Sequence, residues 1–157
     1  MRMRVVLALA AAGLATAAYK EPTMHHATGT FAVKITPEAQ APAPAGGLPT
    51  GRMGIAKTFS GGLTGTATGT MISAGAPTPG NAGAYVAVDQ FTGTVDGRRG
   101  GFLLLHRGTM DKAGKGDLVI VISPDTGTDA LTGIAGTLSI EIKDGVHHYD
   151  LAYTLPE

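Results

Sequence analysis

The stretch Ala84–Met110 constrains this chain most. Residues 84–95 and 101–110 are rich in Val, Tyr, Phe, Leu and Thr, and Asp96-Gly97-Arg98-Arg99-Gly100 lies between them. Runs of that composition favour strands, and a polar, glycine-bearing link favours a tight turn. The pattern predicts one long β-hairpin. Side chains alternate faces along a strand. Tyr85, Ala87, Asp89, Phe91 and Gly93 therefore share one face of the first strand, and Phe102, Leu104, His106, Gly108 and Met110 one face of the second. A carboxylate and an imidazole fall inside an otherwise apolar pattern.

The turn sets the register. A two-residue loop at Gly97-Arg98 places Asp89 opposite His106 and Phe91 opposite Leu104. A four-residue loop closed by Val95 and Gly100 gives the same pairing, and a three-residue loop breaks it. Opposed side chains lie ~5 Å apart at Cβ, within reach of a hydrogen bond. One reading of the pair is a general acid/base couple in a dry cavity. The other, and the preferred one, is a satisfied buried polar pair that fixes strand register.

The rest of the chain reads as the wall around that pair. Thr-Gly-Thr occurs at 28–30, 64–66, 68–70, 92–94 and 126–128, and segments of helical period are few. That pattern points to an all-β protein. At 157 residues the chain suffices for one domain with its own core.

Residues 1–17 differ from the remainder of the chain. Arg2 and Arg4 precede the apolar run Val5–Leu14, and Ala15-Thr16-Ala17 has the small residues of a cleavage site. This is the shape of a secretory signal and is too short to span a bilayer. It predicts a periplasmic or secreted protein with no membrane association after cleavage. The alternative is a cytoplasmic protein whose translation starts at Met24. Residues 18–26 then form a lead-in, and 27–157 a single barrel domain. The chain has no Cys, which excludes disulfides, thiolate catalysis and cysteine-based zinc sites. It has no basic stripe and only four Phe and four Tyr, so no nucleic-acid partner is expected.

Taken in order, Ala27–Thr36 alternates as a strand, preceded by His25 and His26, a weak metal signal that more often means solvated side chains. Pro37–Gly51 is Pro/Ala/Gly-rich and predicts a loop, either a lid over a barrel mouth or an ordinary connection. In the strand Arg52–Ser60, Met53, Ile55, Lys57 and Phe59 share a face. Lys57 is expected outward or at the rim, because buried lysine is rare. The other reading turns it inward as a partner for Asp89. Gly62–Ala74 has Leu63, Gly65, Ala67, Gly69, Met71 and Ser73 on one face, small residues that suit a strongly bent strand and leave room for a cavity.

Asp117–Ser123 and Gly133–Lys143 are further strands. The loop 124–132 between them lacks the Gly-Lys-Ser/Thr ending of a phosphate-binding loop, and no cofactor is expected. Asp144-Gly145 is a hairpin turn into Val146–Leu155, where His147, Tyr149, Leu151, Tyr153 and Leu155 share a face. The Tyr hydroxyls are expected to be tied to the backbone. Alternatively they orient a ligand beside Asp89 and His106. Eight strands with mostly short links predict an eight-stranded antiparallel up-and-down barrel, which removes exposed sheet edges. Such a barrel is filled by side chains or holds one small ligand.

The ordered set MHHATGTFAVKI, RMGIAKTFSGGLTGTATGTMISAG, AYVAVDQFTGTVDGRRGGFLLLHRGTM, SPDTGTDALTGIAGTLSIEI and HHYDLAYTL resembles the bacterial family called domain of unknown function 3224 over about residues 24–155. That family is similar in fold to plant allene oxide cyclases, so the resemblance implies a barrel of lipocalin-like size with a central cavity. It also implies that Asp89 stands where most members carry Glu, so its carboxylate reaches less far into any cavity. Lys57, His106, His147, Tyr149 and Tyr153 stand where the family pattern has the same residue types. Many members begin near the equivalent of Met24. Related barrels often associate, which makes a homo-oligomer one expectation.

Three functions compete. In the first, the barrel holds a small apolar molecule and acts as an isomerase, cyclase or lyase. Asp89 then moves a proton, His106 polarises or shuttles, and Tyr149 or Tyr153 steadies negative charge. Lys57, Tyr85, Phe91, Leu104, His147, Tyr149 and Tyr153 are the candidate ligand-binding residues. In the second, the protein is a non-catalytic carrier or interaction protein in which Asp89 and His106 are structural. A weaker third option is a metal held by Asp89, His106 and His147, which requires all three to converge.

Overall fold

A computed structural model describes residues 21–75 and 80–156. The expected signal at 1–17 lies outside them. Eight strands follow one another around a closed antiparallel barrel: β1 His25–Ala41, β2 Thr50–Gly61, β3 Leu63–Gly75, β4 Gly83–Val95, β5 Arg98–Met110, β6 Gly116–Ile122, β7 Ala135–Lys143 and β8 Val146–Thr154. β1 closes the circle by pairing with β8, His25 opposite Tyr153 and Phe31 opposite His147.

β1 runs past the expected boundary at Thr36. Pro37 has no N–H to give the ladder, and the chain accommodates it with a register shift between Pro37 and Ala39 before pairing with β2 resumes. The link that remains between β1 and β2 is residues 42–49.

The β4–β5 and β7–β8 hairpin turns are both Asp-Gly. Asp96 and Gly97 have φ of 48° and 81°, and Asp144 and Gly145 have φ of 51° and 77°. Two successive positive φ values define the turn whose twist matches the flanking strands, and Asp-Gly is the sequence best suited to them. This corrects the expected loop at Gly97-Arg98, which would have asked Arg98 to take such a φ. Val95 therefore pairs with Arg98, and the β4–β5 register moves by two positions. Asp89 lies opposite Leu104, Ala87 opposite His106, and Phe91 opposite Phe102. A shift of two keeps every side chain on its face, so Asp89 and His106 remain diagonal neighbours inside the barrel.

The barrel has a closed end and an open end. Leu63, Val95, Leu131, Ile134 and Leu151 pack the closed end with almost no exposure. Leu131 comes from a short 3-10 turn, Asp129–Leu131, between β6 and β7. Thr128 holds that segment against β5: its hydroxyl accepts from the Gly101 N–H at 2.9 Å, and its own N–H donates to the Gly101 carbonyl at 2.9 Å. Above this plug lies a layer of aromatic rings. Phe31 and Phe59 are 5.2 Å apart, Phe59 and Phe91 5.7 Å, and Phe91 and Phe102 4.9 Å, each pair tilted or edge-on as ring quadrupoles prefer.

Candidate functional site: a cavity with an ionic floor

Above the aromatic layer the interior is not filled. A cavity of about 760 Å³ opens toward the end where β1 meets β2, β3 meets β4, β5 meets β6 and β7 meets β8. Its walls are mainly apolar: Val33 and Ile35 of β1, Met53 and Ile55 of β2, Met71 of β3, and Ile140 and Ile142 of β7. Small residues on β3 make the room, since Ser73 and Gly75 fill little of the lumen. The volume suits one small organic molecule.

Lys57 lines this cavity and is 8% exposed. It points inward, contrary to the outward placement expected for a lysine. The alternation of β2 already placed it beside Ile55 and Phe59, both buried. What lets a lysine occupy that face is a partner: its Nζ donates to Asp89 Oδ2 in a short ion pair. The ammonium also lies 5.7 Å from the centre of the Phe31 ring, an additional favourable contact for a cation.

Asp89 has no exposure at all. It stands opposite Gly69, where an added Cβ would clash with the Val88 carbonyl oxygen and with Asp89 Oδ1. Only a residue without a side chain leaves space there for the carboxylate. Oδ1 has no hydrogen-bond partner among the described residues. Burial pushes the Asp89 carboxyl up, but the His106 ring and the Lys57 ammonium outweigh it, and the group is held below its ordinary value of 3.8. It is an anion at neutral pH.

His106 lines the cavity beside Lys57. Its Nε2 is 3.2 Å from Asp89 Oδ2, yet it lies off the line of an aligned hydrogen bond. With Nε2 turned toward Asp89, Nδ1 is the ring nitrogen left for other partners. Tyr85 and His147 add to the polar lining, as do Ser73, Gln40, Thr50, Thr109 and Asp117. The Tyr85 ring lies over Gly108, where an added Cβ would clash with ring carbon Cε1. Burial, and then the Asp89 charge, push its phenol above the ordinary 10.0. His147 stacks on Phe31 at 4.9 Å.

The candidate residues thus separate by height along the barrel axis. Lys57, Tyr85, His106 and His147 reach the cavity. Asp89, Phe91 and Leu104 lie beneath it, fully buried. Tyr149 and Tyr153 lie at the closed end. The Tyr149 hydroxyl accepts from the Leu63 N–H at 2.7 Å and donates to the Ser60 carbonyl at 3.1 Å, which clamps the β2–β3 turn. The Tyr153 hydroxyl donates to Asp96 Oδ2 at 2.8 Å, and burial followed by that carboxylate pushes its phenol up to about 12. Met71, Ser73, Val33 and Ile140 line the cavity without being expected there from sequence. For Met71 and Ser73 a signal is present, since both share the inward face of β3 with Gly69.

Among the described residues no three His, Asp or Glu side chains stand close enough to share a metal ion. The converging set Asp89, His106 and His147 is not formed, because His147 is turned onto Phe31. His26 is engaged with Asp150 at 2.9 Å. No helix among the described residues is long and apolar enough to cross a membrane.

Comparison with known proteins agrees with this architecture. No curated protein matches the chain. A solved crystal structure of a protein with unknown function from the DUF3224 family of Shewanella oneidensis MR-1 superposes with a TM-score of 0.77 at 37% identity, covering 86% of this chain and 100% of that one. The family model described as protein of unknown function (DUF3224) matches residues 27–153. With nearly the whole barrel matched in sequence and in structure, this chain belongs to the DUF3224 family.

Proposed function

We propose that the protein is a receptor for one small, largely apolar molecule that presents a single polar group to Lys57 and His106. One observation carries this reading: these two side chains face an apolar cavity of about 760 Å³, while the charge that holds them, Asp89, is buried behind them. A floor of that kind offers hydrogen-bond donors to a ligand and keeps its own carboxylate out of reach. Removing apolar ligand surface from water supplies the affinity, at about 25 cal/mol per Å², and the polar floor fixes orientation. Proton transfer directly from Asp89 to a ligand is the less favoured reading, because Lys57 and His106 cover that carboxylate.

Fluorescence titration with N-phenyl-1-naphthylamine, a neutral apolar dye that brightens in dry surroundings, tests the reading. The wild type is expected to bind one equivalent. Met71→Trp, which fills the lumen from the β3 wall, is expected to keep its circular dichroism spectrum and lose the dye. Equal binding by both proteins, or none by the wild type, sinks the proposal.

A further inference from the structure

We propose that the molecule this cavity takes is a monoanion, an apolar body carrying one carboxylate or sulfonate, and that it is taken up together with one proton that comes to rest on His106. This rests on the receptor reading above. The charges around the floor decide it. Lys57 brings a positive charge, and Asp89, in direct contact with it, cancels that charge. No other ion pair of the described residues reaches the floor: His26–Asp150, Arg52–Glu38 and Arg107–Asp117 are all solvent-exposed. With a neutral imidazole the floor is electrically balanced, and an anion entering an apolar chamber would be uncompensated, which is costly. With an imidazolium the floor carries one net positive charge.

His106 is placed to supply that charge. Its Nε2 faces Asp89 Oδ2 at 3.2 Å, so a proton there meets a carboxylate, and its ring borders the cavity. The groups on the elements around it leave that role to His106. β2 contributes Lys57, and β4 contributes Asp89 and the phenol of Tyr85. β3 contributes Met71 and Ser73, which do not titrate, and β8 contributes His147 on the opposite wall. β6 places Ile120 opposite His106 in the ladder and brings the exposed Asp117 to the cavity lining, where Arg107 pairs with it at 2.8 Å, and β7 lines the cavity with Ile140 and Ile142. His147 is the other imidazole that could take the proton, but it lies against Phe31, and no ion pair among the described residues joins it to a carboxylate. At the floor the Lys57 ammonium and a His106 imidazolium offer the ligand donors. An anionic acceptor complements them better than a hydroxyl or an amine.

Two dyes that share one skeleton separate the possibilities. 8-Anilinonaphthalene-1-sulfonate carries a sulfonate, and N-phenyl-1-naphthylamine does not. For the wild type, sulfonate-dye affinity should fall by about tenfold per pH unit on the alkaline side of its profile, while the neutral dye stays level. Calorimetry in buffers of different ionisation heat should count roughly one proton taken up with the sulfonate and none with the neutral dye. His106→Gln should abolish both the pH slope and the proton uptake, with its circular dichroism spectrum reporting that it is folded. His147→Gln should keep them. Should His106→Gln not fold, the wild-type proton count and His147→Gln decide the question alone. Neutral-dye binding with no sulfonate binding, or sulfonate binding without proton uptake, overturns the monoanion inference and leaves the receptor reading standing. Loss of slope in His147→Gln instead moves the proton elsewhere and overturns the assignment. Failure of both dyes removes the receptor reading and this inference with it.

Discussion

Removing either member of the Lys57–Asp89 pair should cost far more stability than removing His106, and the geometry says by how much. Lys57 is 8% exposed and Asp89 is not exposed, so solvent screens the pair only weakly. The figure of ~0.2–1 kcal/mol for surface pairs does not apply. Breaking a buried pair leaves one uncompensated ion, at ~3–5 kcal/mol. Lys57→Met leaves a carboxylate whose Oδ1 already lacks a partner. Asp89→Asn leaves an ammonium but conserves volume, so no cavity adds to the loss. His106→Gln removes a contact that is not an aligned hydrogen bond and strands no charge, so about 1 kcal/mol is expected. The Lys57→Met/Asp89→Asn double variant strands no charge either and should lose ~1–3 kcal/mol, well short of the sum of its parts. Urea unfolding at neutral pH reads all four. A domain of this size has ~5–15 kcal/mol in total, so the single variants should show large midpoint shifts. Single variants that each lose under ~1 kcal/mol, or a double variant equal to the sum, would refute the reasoning.

Other expectations concern separate parts of the molecule. The Asp89 carboxyl is held below 3.8, so its contribution to stability is complete above about pH 4 and fades as pH falls through its folded value; Asp89→Asn should flatten the acid limb of a stability–pH curve. Tyr153 behaves oppositely: with its phenol raised from 10.0 to about 12, its stabilising contribution is complete below about pH 10 and lost as pH rises through about 12. Tyr153→Phe should make alkaline unfolding less steep. Tyr149→Phe leaves the Leu63 N–H without its acceptor and should cost ~1–3 kcal/mol by thermal unfolding. Gly108→Ala should displace the Tyr85 ring, lose ~1–3 kcal/mol and alter neutral-dye affinity, whereas an unchanged affinity would mean that ring does not shape the cavity.

Much of the barrel is readable from periodicity. The alternation of β4 and β5 fixes which side chains face inward, and Asp144-Gly145 marks its own turn. The β4–β5 register differs by two from the sequence expectation because Asp-Gly and Gly-Arg both fit a two-residue link until the demand for two positive φ values is weighed. Lys57 is hard to read for a different reason. Its neighbours announce an inward face, but what stabilises a lysine there is a carboxylate 32 residues away in sequence, on a strand that does not adjoin β2. Depth along the axis is the least legible property. Period-two patterning distinguishes inside from outside, yet Tyr149 and Tyr85 both read as inward although one clamps a turn and the other borders the cavity. Only the stagger of the closed barrel separates them.

The closure of β1 on β8 also fixes where the chain can be handled. His25 sits opposite Tyr153, whose hydroxyl reaches Asp96 at the plugged end. The first and last described residues therefore emerge side by side, at the opposite pole from the cavity mouth. A tag, a fused partner or a surface tether attached at either end would leave the mouth pointing away from it. Joining the two ends with a short linker and reopening the chain in the β1–β2 link would put new termini at the mouth. The original and the permuted forms, immobilised through their termini, would then offer the same lumen to solution in opposite orientations.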